Sequence, residues 1–106
     1  MNDHITAQNQ RHYQRMLEAL ARMPSEQNTR SIGSLIATLD FLLEALEGGD
    51  ANWKERFRKS WGILEEVTAF ALDAGRSSFS DEEQKLLNRA VQDLKSLIEE
   101  VSRPPS

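Results

Sequence analysis

The sequence predicts an all-α fold, an antiparallel four-helix up-down bundle. Four separate segments repeat their apolar residues with the helical period. The links between them are short and carry helix stop and start chemistry. No segment alternates with period two, no glycine–proline hairpin signal occurs, and no repeat of solenoid length is present, so strands are not expected. A chain of 106 residues has room for one helical domain with a modest core, with residues 1–5 and 102–106 as its flexible ends.

The first helix is expected to begin between Asp3 and Thr6 and to end near Met23, because Pro24 disfavours helical geometry in the residue before it. Its inward stripe is narrow: Tyr13, Met16, Leu17, Leu20 and Met23. Upstream only Ile5 is large and apolar, and Asn9 falls on the same stripe, so the first two turns have little to hold them. This weakness keeps an alternative architecture open, a three-helix core over residues 29–101 with the N-terminal helix crossing it or serving a dimer.

Residues 24–30 form a polar link. Ile32, Leu35, Ile36, Leu39, Leu42, Leu43 and Leu46 then set out the second helix, and Gly48-Gly49 closes it. Asp50 is the expected N-cap of a third helix that runs to Gly75 and holds both tryptophans. Trp53, Phe57, Trp61, Leu64, Val67, Thr68, Ala71, Leu72 and Ala74 fall within about 100° of Trp53 on either side, with Ile63 and Phe70 widening the arc. So broad a sector predicts a central helix touched by several neighbours. After Gly75 and the polar turn Arg76-Ser77-Ser78, Ser80-Asp81-Glu82-Glu83 reads as a capping box. Leu86, Leu87, Ala90, Val91, Leu94, Leu97, Ile98 and Val101 form the inward stripe of the fourth helix, and residues 103–106 are a tail.

Composition narrows the chemistry. Without cysteine, disulfides, thiolate catalysis and cysteine-based metal sites are excluded, and a reducing cytoplasm fits. No apolar run resembles a signal peptide or approaches the ~20 residues of a membrane span, so a soluble, cytoplasmic protein is expected. The net charge of −4 argues against nucleic acid as a partner.

No Glu-x-x-His pair of the kind that builds di-metal bundle sites occurs, and His4 and His12 are expected at the surface, so no metal or other cofactor is expected. The stretch from Asp73 to Gln84 has the length of a calcium loop. It places Gly75, Ser77, Ser78 and Gln84 at the third, fifth, sixth and twelfth positions, where that loop requires oxygen ligands, glycine and glutamate. An interhelical turn explains the same residues. Catalysis would need a nucleophile with its base, or a carboxylate in a pocket. Asp40, Glu44, Tyr13 and Asp73 are the residues an enzymatic or ligand-binding bundle would use.

Positions left over from the core stripes point elsewhere. Phe41 lies about 200° from Leu39, opposite the leucine stripe. Trp61 drifts toward the rim of the Trp53-Phe57-Trp61 ladder, and Phe70 lies at the edge of its arc. Lys54, Arg56, Arg58 and Lys59 crowd the start of the third helix, where cations oppose the helix dipole, although Lys59 can pair with Glu55. Gly62 sits mid-helix on the outer face, as if something approaches there. The expected function is therefore binding of another protein, with possible roles as a homodimeric adaptor, a regulator or a neutraliser of a toxin or effector. Phe41, Trp61 and Phe70 would be its apolar anchors, Lys54 and Arg58 its rim charges, and Gly62 its point of close approach.

Overall fold

The computed structural model describes residues 3–22, 28–48 and 50–102, with side chains from residue 7 onward. It contains four helices, α1 (Asp3–Ala21), α2 (Thr29–Ala45), α3 (Ala51–Asp73) and α4 (Asp81–Ser102). Each helix packs on its sequence neighbours and α1 closes the circuit against α4; across the diagonal, α1 meets α3 through side chains, with Tyr13 against Trp53. Short links and a closed circuit of neighbours define the antiparallel up-down bundle. Met16 and Leu20 of α1 are buried in the common core beside Ile32, Leu39, Leu64, Leu87 and Ile98. The first helix is thus a full member of the bundle, which removes the three-helix alternative.

Asn9, expected to weaken the start of α1, does the opposite. Its Nδ2 donates to the Glu47 carbonyl at 3.0 Å and its Oδ1 accepts from the Glu47 amide at 3.1 Å, so the side chain pairs with one backbone unit of the α2–α3 link. The helix is already formed at Asp3. Ile5's side chain and the stop at Met23-Pro24 lie outside the described residues.

The second helix starts earlier than its apolar stripe, at Thr29, so the link ends before Arg30. Asn28 Oδ1 accepts from the Ser31 amide at 2.8 Å and Asn28 N donates to Ser31 Oγ at 3.1 Å, a capping box built from Asn and Ser. The helix ends at Ala45, with Leu46 as C-cap, and Gly48 turns the chain at φ +67°; Gly49 lies outside the described residues. Asp50 caps α3 as expected, accepting from the Asn52 amide at 2.9 Å.

Two bonds close the far end of α3 in a Schellman motif. Arg76 N donates to Ala71 O and Gly75 N to Leu72 O, both at 2.9 Å, with Gly75 at φ +72°, a conformation a side chain would strain. The Ser80–Glu83 box forms reciprocally: Ser80 N donates to Glu83 Oε1 at 2.8 Å and Glu83 N to Ser80 Oγ at 3.2 Å. Thr29 N donates to Ser77 O at 3.0 Å, joining the start of α2 to this turn through an isolated bridge between Asn28 and Ser78. Phe79, inside a turn that reads as polar, is buried in the core cluster at this end of the bundle.

The buried arc of α3 is narrower than the sequence suggests. Its buried residues are Trp53, Phe57, Ser60, Leu64, Val67, Thr68 and Ala71, which span about 100° of the helix. Trp61 and Ile63 are half-buried shoulders, while Phe70, Leu72 and Ala74 face solvent. The helix lies along two neighbours, α2 and α4, and each tryptophan braces one of them. Trp53 Nε1 donates to the Leu97 carbonyl of α4 at 2.8 Å, and Trp61 Nε1 to the Ile36 carbonyl of α2 at 3.0 Å. These bonds use the free lone pair of a helical carbonyl and leave neither indole N–H unpaired. On α4, Leu86 and Leu87 are about 100° apart and cannot both face inward; Leu87 is buried and Leu86 is not.

Candidate protein-binding surface

The sequence-derived anchors do not assemble into one patch. Phe41, 68% exposed, stands on α2 beside Arg15 of α1 and Ala37, Thr38 and Leu42. Trp61 is half-buried between α3 and α2, its N–H already engaged. Arg58 reaches across to Glu44 of α2 at 3.1 Å, and both side chains remain largely in water. Lys54 is half-buried on the same flank. Gly62 is half-exposed, and a Cβ built on it would meet nothing within 4 Å, so no atom of the described chain makes the close approach that its presence suggested. The Lys59–Glu55 pair does not form among the described residues.

Phe70 belongs to another face, between α3 and α4. Arg76 lies over its ring with Cζ 5.9 Å from the centroid, and the same guanidinium grips Glu83 of α4 with bonds of 2.7 and 3.0 Å. At the other end of this face Arg56 of α3 pairs with Glu100 of α4 at 3.3 Å. That pair sets the register of the two antiparallel helices. Phe70 is as many residues along α3 from Arg56 as Leu86 is back along α4 from Glu100, so the two side chains stand level. Each is rotated only about 40° from the direction in which the ion pair spans the groove. Phe70 is 67% exposed and Leu86 49%. Half-buried Ile63 continues the apolar line toward a shallow hollow of about 380 Å³ lined by Arg56, Lys59, Ser60, Asp93, Ser96, Leu97 and Glu100. The groove is apolar at the Phe70–Leu86 end, turns polar toward Lys59 and Asp93, and carries an arginine–glutamate pair at each end.

No family model, characterised protein or solved structure matches the chain.

Glu83 is the most perturbed acid there. The Arg76 guanidinium first, then the Ser80 amide, hold its carboxyl at about 2, well below the usual 4.5. The same partner raises Arg76 above its ordinary value. These shifts belong to a satisfied ion pair that ties the α3–α4 turn to the start of α4, not to an acid awaiting a substrate.

The residues available to a ligand-binding bundle do not converge. Asp40 and Asp73 are exposed on different helices and Glu44 is paired with Arg58. Tyr13 packs edge-on against Trp53, ring centroids 5.8 Å apart, and burial pushes its phenol above the ordinary 10. The largest of the hollows described, about 430 Å³ between α1 and α2, is an open surface groove. Among the described residues no group of three or more His, Asp or Glu could hold a metal ion. His4's side chain lies outside them. His12 is half-buried rather than exposed, with Nδ1 enclosed and unpaired.

Sequence reasoning placed Phe70 at the edge of its helix's apolar arc, and the structure leaves it outside the buried part of that arc. That reasoning missed Leu86, which shares a stripe with inward residues; only the pairing of α3 with α4 brings the two together.

Proposed function

We propose that this chain is a small non-enzymatic helical protein that acts by binding another protein, as an adaptor, regulator or neutraliser of a toxin or effector in the cytoplasm. The contact is made along the α3–α4 groove. The observation that carries this reading is the level pairing of exposed Phe70 and Leu86 between two arginine–glutamate pairs. A core that already holds large buried side chains on all four helices leaves these two apolar groups in water, where only an external surface can cover them. Apolar anchors with a charged rim suit an amphipathic helix laid along the groove. No helix among the described residues is long and apolar enough to cross a membrane, and the net charge of −4 disfavours nucleic acid, so a protein is the partner class that fits.

The test is photo-crosslinking in native lysate from a probe at Asp93, in the hollow that continues the groove, with a probe at Lys95 as control. Adducts specific to the groove position, abolished by Phe70→Glu with Leu86→Glu in a chain of unchanged helicity and melting temperature, are expected. A double variant that keeps every adduct removes the proposal.

A further inference from the structure

The outer face of α3 is electrostatically antisymmetric about Gly62. Its first half presents Lys54, Arg58 and Lys59 against the single Glu55, and its second half presents Glu65, Glu66 and Asp73 with no cation before Arg76. Both halves oppose the helix dipole, which favours anions at the N-terminus and cations at the C-terminus. Contacts within the chain do not explain the arrangement. Lys59, Glu65 and Glu66 have no ion-pair partner among the described residues, and Arg58 meets Glu44 only at the surface. At the midpoint stands a glycine, a poor helix former, with open space where its Cβ would be.

The geometry points to a second copy of this chain as the occupant of that face, with the two α3 helices crossing antiparallel at Gly62 about a two-fold axis. Viewed down the helix, Arg58 and Glu65 lie about 40° and 60° to one side of Gly62, and Lys59 and Glu66 about 60° and 40° to the other. A two-fold axis through the crossing keeps each flank on its own side and reverses position along the helix. Arg58 then faces Glu65 of the second copy and Lys59 faces its Glu66, and both pairs are repeated by symmetry. A parallel pairing would set like charges against each other, so the charges specify orientation as well as partner. Gly62 at the crossing, with Ala69 two turns on near the same line, lets the backbones approach.

The inference rests on reading the chain as a binding protein and names one of its partners. Its crossing line stands apart from the groove's apolar anchors, because Phe70 lies about 80° away around α3 and Leu86 is on α4, while Lys59 borders both surfaces.

The experiment uses sedimentation velocity on the full chain at low ionic strength. Wild type is expected to dimerise, and high salt is expected to dissociate the dimer, since exposed pairs are screened. Arg58→Glu with Lys59→Glu makes the four facing positions acidic, and Glu65→Lys with Glu66→Lys makes them basic. Each variant alone is expected to be monomeric, with unchanged helicity. Mixed, they restore all four pairs and are expected to form a heterodimer. Three results would overturn the inference: a wild type that stays monomeric at millimolar concentration, variants that still self-associate, or a mixture that does not associate. Loss of the dimer with groove adducts intact sinks this inference alone; loss of the adducts with the dimer intact sinks the groove.

Discussion

Single side chains tie this bundle together through bonds that reach from one element to the backbone or cap of another. Trp53 and Trp61 share a ladder and a bonding mode, yet one is buried and the other sits at the rim, because a spacing of four advances about 40° around the helix at each step. Glu83 carries the heaviest set of partners, accepting from Arg76 and from the amide of Ser80. Its carboxyl is held at about 2 against an ordinary 4.5. The folded state therefore prefers the ionised form more strongly than the unfolded chain does. The resulting stabilisation is complete above the ordinary value and is lost as pH falls through about 2. The difference in melting temperature between wild type and Glu83→Gln should be greatest at neutral pH and shrink as the solution is acidified between those two values. A difference that does not change with pH would show that the ion pair contributes nothing to folding. Carbon-detected NMR titration of Glu83 reads the lowered pKa directly.

At the scale of elements, what decides the boundaries is where the backbone groups at helix ends find partners. Asn9 shows this most clearly: one amide side chain serves both donor and acceptor of Glu47 and ties the start of α1 to the α2–α3 link. Asn9→Leu removes both bonds, each worth about 1 kcal/mol or less at an exposed site. Hydrogen exchange should then quicken roughly tenfold in the first half of α1 while the core of α3 is unaffected. Asn9→Asp, which keeps the acceptor, should fall between; equal protection in all three proteins would mean that packing alone holds the helix. Much of this level was legible in the sequence. The leucine stripe of α2, Asp50 as a cap, Gly75 as a stop and the Ser80–Glu83 box are local patterns, written within a few residues of the structure they cause. Asn9 with Glu47, Phe79 in the core and Leu86 level with Phe70 were not legible. Each depends on the register between segments far apart in sequence, which helical periodicity within one segment does not contain. The candidate surface was half legible for the same reason. Phe70 shows in the sequence as the edge of its own helix's apolar arc, whereas its companion on α4 can be found only once the two helices are paired.

For the molecule as a whole, the circuit of neighbours makes each helix a wall of the same core: α1 lies beside α2 and α4 and reaches α3 through Tyr13 on Trp53. Removing α1 therefore uncovers the flanks of two helices and takes Met16 and Leu20 from the centre. Burial of each such side chain is worth about 1.5–3 kcal/mol, and a domain of this size has a total stability of about 5–15 kcal/mol. Half-buried Tyr13 and Leu17 add to the loss. A chain lacking residues 1–22 should thus lose its sharp thermal transition, bind a hydrophobic dye, and retain helical circular dichroism without fixed side-chain packing. A truncated chain that still unfolds in one steep step would mean that α2, α3 and α4 form a self-sufficient core. The fourth wall would then be there for some purpose other than stability. With all four walls required, the core is committed to holding the bundle closed, and the binding proposed for this chain falls to the outward faces: the α3–α4 groove and the charged side of α3.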